Sequence, residues 1–243
     1  MEASEIKEKK ESKEEEKEEK EPRKIVVPGE VLASGQAYLP GEGTRREGKD
    51  IVASKFGLLQ IEDRLVKIIP LSGVYMPRRG NAVIGKITDV TFNGWIIDIN
   101  APYGAFLPAS ECSGFVSKRD ISSYYNLGDM LIAKILEVKS KGVDLTMRDK
   151  GLHRVEEGLI ITINSNKVPR VIGKMGSMVN LIKDSTGCNI VVGQNGIIWI
   201  RGNDIEHELL AERTIKMIAE NSFVEGLTDK VKEFLEKHKI KAK

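Results

Sequence analysis

This chain has few of the residues on which metal sites, disulfide scaffolds and many active sites depend. It contains 2 cysteines and 3 histidines among 243 residues. Cys112 and Cys188 have no close partner in the sequence, which argues against a zinc ribbon or a disulfide scaffold and indicates a reducing, cytoplasmic compartment. The histidines are scattered and no Asp/Glu cluster has metal spacing, so we expect no catalytic residue, no metal site and no cofactor.

Aromatic residues and long apolar runs are also scarce. Phe, Trp and Tyr make up 5% of the chain, so any surface that stacks on nucleobases must rest on a few rings. No apolar run reaches the ~18 residues that a membrane-spanning helix needs. The N-terminus also lacks the apolar stretch of a secretory signal, so we expect no membrane partner.

Charge is abundant, and its balance differs along the chain. Residues 1–24 hold ten Glu and eight Lys or Arg without apolar periodicity, which predicts a disordered charged tail or a frayed, solvated helix. A solubilising extension is the simpler interpretation of this tail, and an interaction segment is the alternative. The remaining residues hold 30 basic and 26 acidic side chains, a mild excess that permits phosphate binding without demonstrating it.

Changes of pattern divide the rest of the chain into predicted domains. Residues 25–78 contain short apolar stretches broken by Pro and Gly, which indicates a small β domain that needs a neighbour for stability. Residues 79–150 contain five alternating strand candidates with one long connection, residues 109–128, between the third and the fourth. Five strands connected in this way predict an OB-type barrel.

A mixed pattern follows the barrel. Residues 151–222 read as strand, helix, Gly-x-x-Gly, helix, strand, strand and helix, which is the order of a type I KH domain. Its last helix should begin after Asp204 and end near Glu220. The predicted fold class is therefore multidomain β plus α+β, with a small N-terminal β domain, a five-stranded OB-type barrel and a type I KH domain.

The last segment, residues 223–243, contains one short amphipathic helix. Its apolar residues are Leu227, Val231, Phe234 and Leu235. This stripe can pack on the preceding domain or dock on a partner, and the sequence leaves both alternatives open.

The two Gly-x-x-Gly tetrapeptides differ in context. GQNG joins two apolar strands, and Asn195 and Gly196 tolerate the positive φ of tight hairpins, so Gly193, Asn195 and Gly196 are predicted to form a structural turn. GKMG joins two helices, where free N–H groups can face a phosphate. The predicted RNA contacts are Arg170, Gly173, Lys174, Met175, Gly176 and Lys183. The alternative is that this loop packs against a neighbouring domain.

The barrel offers a second set of candidate contacts. Strand alternation places Trp95 with Ile97 and Ile99 on the inner face, so Trp95 is assigned to the core. The candidates for base stacking are Phe92 and Phe106. The candidates for phosphate contacts are Lys118 and Arg119 in the long connection and Arg148 after the last strand.

A resemblance to known RNA-binding domains rests on these same stretches. The OB domain first described in ribosomal protein S-one is similar to GKITDVTFNGWIIDINAPYGAFLPASE with NLGDMLIAKILEV and LTMRD, and residues 158–220 resemble a type I KH domain. The N-terminal domain of exosome cap subunits resembles VPGEVLASGQAYLPGEGT with YMPRRGNAVIGKI. In this order, the domains resemble the RNA-binding cap subunits of the archaeal exosome, the family of ribosomal RNA processing protein four.

This resemblance implies a non-catalytic role. Three such subunits, alone or mixed with a second cap protein, would sit on a hexameric ring of phosphorolytic ribonuclease subunits. The N-terminal domains would dock on the ring, and the OB domains would surround a pore through which single-stranded RNA is fed for degradation or processing. GQNG would correspond to the structural GxNG turn of the family.

Two departures from the family pattern concern base stacking. Pro108 stands where many such OB domains carry a His, and Ile96 stands where a second exposed aromatic is usual. Both departures favour a surface that binds the RNA backbone through basic side chains, irrespective of the RNA sequence. Two alternatives remain: a free-standing single-stranded RNA-binding or translation-associated protein, and a nuclease acting alone.

Overall fold

The computed structural model describes residues 24–112, 114, 121–222, 224 and 226–238. The charged tail up to residue 23 therefore lies outside the described residues, as do Lys118 and Arg119. Two compact units divide the chain, Met1–Leu71 and Ser72–Lys243. None of the helices in the described ranges is long and apolar enough to cross a membrane.

The first unit is a small β structure made of short strands. The strands are β1 (Ile25–Val26), β2 (Val31–Ser34), β3 (Leu39–Pro40), β4 (Thr44–Glu47), β5 (Asp50–Ala53), β6 (Gly57–Glu62) and β7 (Leu65–Pro70). They form two sheets, ordered β1-β6-β7-β3 and β2-β5-β4. The core includes the buried residues Val26, Ala53 and Ile68. A unit of this size has too little interior to bury all of its apolar side chains.

The second unit begins with a closed five-stranded barrel. Its strands are β8 (Ala82–Thr91), β9 (Gly94–Asp98), β10 (Ala105–Pro108), β11 (Met130–Lys139) and β12 (Gly142–Thr146). The order is β12-β10-β9-β8-β11, and pairing of β11 with β12 closes the barrel. All five strands predicted from alternation are present, and the fold class is confirmed.

The interior of the barrel follows the predicted alternation. Trp95, Ile97 and Ile99 are buried, whereas Ile96 is 37% exposed on the outer face. The Trp95 indole donates from Nε1 to the carbonyl oxygen of Tyr125 at 3.1 Å, which satisfies its one polar atom. The assignment of Trp95 to the core is therefore confirmed.

The KH domain follows and is joined to the barrel by a short strand. Its elements are β13 (Arg154–Val155), β14 (Leu159–Thr162), α1 (Val168–Ile172), α2 (Ser177–Thr186), β15 (Asn189–Val192), β16 (Ile197–Arg201) and α3 (Ile205–Glu220). Strand β13 pairs with β11 of the barrel, and β14, β16 and β15 form an antiparallel sheet in that order. Asp204 occupies the predicted N-cap position of α3, but its side chain makes no capping hydrogen bond.

A last helix, α4 (Leu227–Lys237), belongs to the KH domain. Leu227, Val231 and Leu235 are buried in the same cluster as Ile182 of α2 and Ile215 of α3. Of the two alternatives for this apolar stripe, packing on its own domain is the one observed.

Candidate nucleic-acid interface

The GQNG turn packs against the barrel, with Gly193, Asn195 and Gly196 buried. Asn195 is fully buried, and its Nδ2 donates to the carbonyl oxygens of Ile84 at 2.7 Å and Ile99 at 2.9 Å. Its Oδ1 accepts the backbone N–H of Ile84 at 3.3 Å. The turn residue with positive φ is Gly196, at 86°, whereas Asn195 acts through its side chain. This tetrapeptide therefore connects the KH domain to the barrel.

Apolar packing also holds the KH domain and the barrel together, and we call this contact the interdomain joint. Ile84 of β8, Ile132 of β11 and Trp199 of β16 form one buried cluster between the barrel and the KH sheet. The Trp199 indole donates from Nε1 to the carbonyl oxygen of Glu157 at 2.7 Å. The barrel thus covers one face of the KH sheet, and the helices cover the other. The barrel and the KH domain therefore bury apolar side chains against each other.

The GKMG loop lies apart from this joint and is open to solvent. Gly173 has φ 74° and ψ 177°, and a Cβ at this position would lie 2.7 Å from the backbone nitrogen of Met178. Met175 adopts φ 53° and ψ 30°, and it is 97% exposed. A left-handed conformation is uncommon for a residue with a side chain. In the part of the chain that the structure describes, no other residue packs over the Met175 side chain.

Two basic side chains lie in or next to this loop, and a third lies further along the following helix. Arg170 on α1 and Lys174 in the loop are exposed, and Lys183 on α2 is half-buried. No ion pair joins any of these three to a residue within the described ranges. Helix α2 starts at Ser177 directly after the loop, so its first N–H groups lie next to Lys174, whereas Lys183 lies in the last turn of the helix.

The candidate residues of the barrel are spread over three places. Phe92 is 86% exposed in the turn between β8 and β9. Phe106 lies on β10 and is half-buried. The Arg148 guanidinium donates from Nε and Nη2 to the carbonyl oxygen of Ser110 at 3.1 and 2.5 Å and lies 3.6 Å from the Glu111 carboxylate. Arg148 therefore braces the turn that follows β10.

A groove on the outer face of the barrel was not predicted from the sequence. It has a volume of about 520 Å³ and lies against β9, β10 and the turn between β11 and β12. Its side-chain lining includes Ile96, Phe106, Lys139, Lys141 and Asp144. The sequence does not point to the last three, because a Lys-Ser-Lys-Gly stretch between two strands is also what an ordinary solvated hairpin turn contains.

No metal-binding centre is found among the described residues. No group of three or more His, Cys, Asp or Glu side chains there is placed to hold a metal ion. Both cysteines are buried thiols. Burial raises the pKa of the Cys112 thiol to about 11 and also raises the pKa of Cys188.

Two segments of the chain match known family models. Residues 158–206 match the model of the KH domain. Residues 25–62 match the model described as the exosome complex exonuclease RRP4 N-terminal region. A solved structure described as an exosome complex RNA-binding protein is 33% identical, covers 68% of this chain and 97% of its own, and superimposes with a TM-score of 0.62.

Curated relatives cover most of the chain. A protein of Methanothermobacter thermautotrophicus named exosome complex component Rrp4 is 43% identical over 88% of this chain and 68% of its own length. Proteins of the same name from Methanothermus fervidus and Thermococcus kodakarensis are 44% and 42% identical, each over 88% of this chain and over 95% and 85% of their own. With this identity along nearly all of its described length, the chain belongs to the exosome complex component Rrp4 family.

Proposed function

We propose that this chain is a non-catalytic RNA-binding cap subunit of the archaeal exosome. It binds single-stranded RNA and feeds it into the pore of a phosphorolytic 3′-to-5′ exoribonuclease ring for degradation or processing. The observation that carries this proposal is the exposed GKMG loop with its unpaired basic neighbours, in a chain whose relatives are named exosome components. In this proposal the ring subunits carry out the phosphorolysis, and the complex acts in the cytoplasm.

The RNA-binding role is supported by the charges around GKMG. The RNA backbone carries one negative charge per nucleotide, and lysine and arginine neutralise it by releasing counterions. Arg170 and Lys174 are exposed, and no described acidic side chain competes for them. The loop leaves backbone N–H groups at the start of α2, which suits an approaching phosphate.

The docking role is supported by the surface of the first unit. Four aliphatic side chains there are each more than half exposed, namely Ile25, Val27, Val31 and Leu39. Exposed apolar side chains concentrated on one small unit are typical of a surface that another protein covers. The occupants we propose are the ring subunits, with three copies of this chain per hexamer, alone or mixed with a second cap protein.

The RNA-binding proposal is tested by removing the charges around GKMG. A variant with Arg170→Gln, Lys174→Gln and Lys183→Gln should bind single-stranded RNA more weakly, because three cations that release counterions are removed. The slope of log affinity against log salt concentration should fall in magnitude by about 0.7 for each phosphate that is no longer neutralised. Fluorescence anisotropy of a labelled oligoribonucleotide at several salt concentrations measures both quantities.

The matched control is on helix α4. Lys230, Lys232 and Lys237 are exposed on that helix, and their change to Gln removes the same charge from another surface. This control should retain the salt slope of the unmodified chain. Equal affinity and slope in both triple variants would contradict the assignment of GKMG, and no binding by the unmodified chain would contradict RNA binding itself.

A further inference from the structure

The chain contains two Asn-Gly dipeptides, and the structure gives them opposite environments. Asn93 lies in the turn between β8 and β9 and is followed by Gly94, whereas Asn195 and Gly196 belong to the GQNG turn. An asparagine amide is open to attack by the next backbone nitrogen when glycine follows, because glycine has no Cβ to obstruct the approach. The two dipeptides share this local chemistry and differ only in their surroundings.

The amide of Asn93 is exposed and mostly free. Its Oδ1 accepts the Thr91 hydroxyl at 3.1 Å, and its Nδ2 donates to no atom within the described ranges. When the hydroxyl donates to Oδ1, it stabilises the negative charge that develops on this oxygen as a nucleophile adds to Cγ. Water can solvate the amino group as it leaves. Nothing in this environment protects the amide.

The glycine that follows Asn93 is required by the packing of the barrel. A Cβ at Gly94 would lie 2.2 Å from the carbonyl oxygen of Leu107, so a larger residue would push β9 away from β10. Gly94 is paired with Thr91 at the last position of the β8–β9 ladder. Opening that terminal pair frees the Gly94 nitrogen, and the end of a ladder opens at a lower free-energy cost than its interior.

The amide of Asn195 is held on every side. Its Nδ2 donates to the carbonyl oxygens of Ile84 and Ile99, and its Oδ1 accepts the backbone N–H of Ile84. The Gly196 nitrogen, which would be the nucleophile, donates to the carbonyl oxygen of Gly193 at 3.0 Å. Attack at this amide would require these bonds to break together and the interdomain joint to open, which is a much larger opening than that of a hairpin end.

We propose that Asn93 is a site of deamidation in the folded protein and that Asn195 is protected from it. The Gly94 nitrogen bonds to Cγ of Asn93, the Cγ–Nδ2 bond breaks, and the proton of the Gly94 nitrogen leaves with the amino group as ammonia. Water then opens the resulting succinimide at either of its two carbonyl carbons, which gives aspartate or isoaspartate. One amide and one water become one carboxylic acid and one ammonia, without any oxidation or reduction.

The conversion adds one negative charge to the turn that carries Phe92. The Phe92 side chain is 86% exposed directly before Asn93. A carboxylate at this position repels the RNA backbone, so the deamidated chain should bind single-stranded RNA about threefold more weakly. This consequence rests on the RNA-binding function proposed above, whereas the deamidation itself does not.

The test follows both amides in the full chain by mass spectrometry. The folded chain is incubated at mildly alkaline pH and then digested at acidic pH, where further conversion is slow. The peptide that contains Asn93 should gain the mass difference between a hydroxyl and an amino group as incubation proceeds, and the peptide that contains Asn195 should not. The same chain incubated in concentrated urea should convert at both positions, because neither amide is held there.

Three variants extend the test. Asn93→Gln keeps an amide but lengthens the side chain by one methylene, which disfavours the five-membered ring, so conversion at this position should nearly cease. Asn93→Asp carries the charge from the start and should show the weaker RNA binding by fluorescence anisotropy. Asn189→Asp adds the same charge at an exposed position on β15 and is the control, which should retain the affinity of the unmodified chain.

Two outcomes would overturn the proposal. The first is conversion of both amides at the same rate in the folded chain. The second is an intact Asn93 in the folded chain under conditions in which the urea-treated chain converts. Both results are masses, so a chain that binds no RNA would contradict the proposed function and leave the deamidation result standing. Equal RNA affinity of the unmodified chain and Asn93→Asp would contradict the effect on RNA alone.

Discussion

At the scale of single residues, Asn195 is a fully buried side-chain amide that links the KH domain to the barrel. A fully buried amide must find partners for its donors and its acceptor, and here backbone groups of Ile84 and Ile99 supply them. The sequence identified this asparagine as a turn residue from its tolerance of positive φ. Its actual contribution comes from contacts with residues about 100 positions earlier, which no local pattern reveals.

Changing Asn195→Ala should destabilise the second unit by about 3 kcal/mol, because two carbonyls and one N–H lose their partners in a buried place. Urea denaturation followed by circular dichroism measures the free energy of unfolding. Asn189→Ala, an exposed asparagine at the start of β15, is the control and should change it by less than about 0.5 kcal/mol. Equal effects of the two substitutions would show that the buried amide does not hold the joint.

At the scale of elements, the strands and helices follow their apolar periodicity closely. The five barrel strands and helix α3, which ends at Glu220 as expected, all lie where the patterns place them. Periodicity could not decide what the C-terminal helix packs against, since an apolar stripe looks the same whichever surface covers it. The contacts of Val231 with the KH core settle that point.

Changing Val231→Ala should lower the free energy of unfolding by about 2 kcal/mol, because the buried methyl groups leave a cavity at the junction of α4 with the KH core. Chemical denaturation is again the measurement. Lys232→Ala, next to it on the exposed face of α4, should have little effect. A Val231→Ala protein as stable as the unmodified chain would mean that α4 contributes nothing to the KH core.

At the scale of the whole molecule, the two units differ in size and in the features that they leave open to solvent. The first exposes aliphatic side chains such as Val27 and Leu39 on a small core. The second buries its interdomain joint and leaves the GKMG loop and the barrel groove open. This division suits one unit that docks on protein and one that binds RNA, which is the arrangement that we propose.

Mixing the chain with phosphorolytic ring subunits should give a complex of three copies per hexamer, measured as mass by light scattering. Val27→Asp with Leu39→Asp should prevent assembly, because a charge would have to be buried at the interface. Ile205→Asp, at an exposed aliphatic position on α3, is the control and should assemble normally. An unmodified chain that stays apart from the ring would instead favour a free-standing RNA-binding protein.

The sequence indicated one part of the candidate site and not the other. The GKMG loop could be identified because its glycines and lysine lie next to one another in the chain. The groove could not, because Ile96, Phe106 and Asp144 come from three separate strands and meet only through the barrel register. Because Ile96 has no aromatic ring, the sequence favoured contacts with the RNA backbone over base stacking at that position. The neighbouring strand β10 does supply a ring, that of Phe106. The roles of the individual site residues and the domain boundaries remain predictions.

The sequence by itself determined the fold class, the order of the domains and the family, because periodicity, turn residues and contiguous motifs are local properties of a chain. Only the tertiary structure decided that Asn195 joins two domains, that Arg148 braces a turn and that Asp144 faces a groove beside Phe106. Each of these depends on which distant backbone atoms come within hydrogen-bond distance. Strand register sets those distances, and a one-residue shift in it would move every side chain to the opposite face.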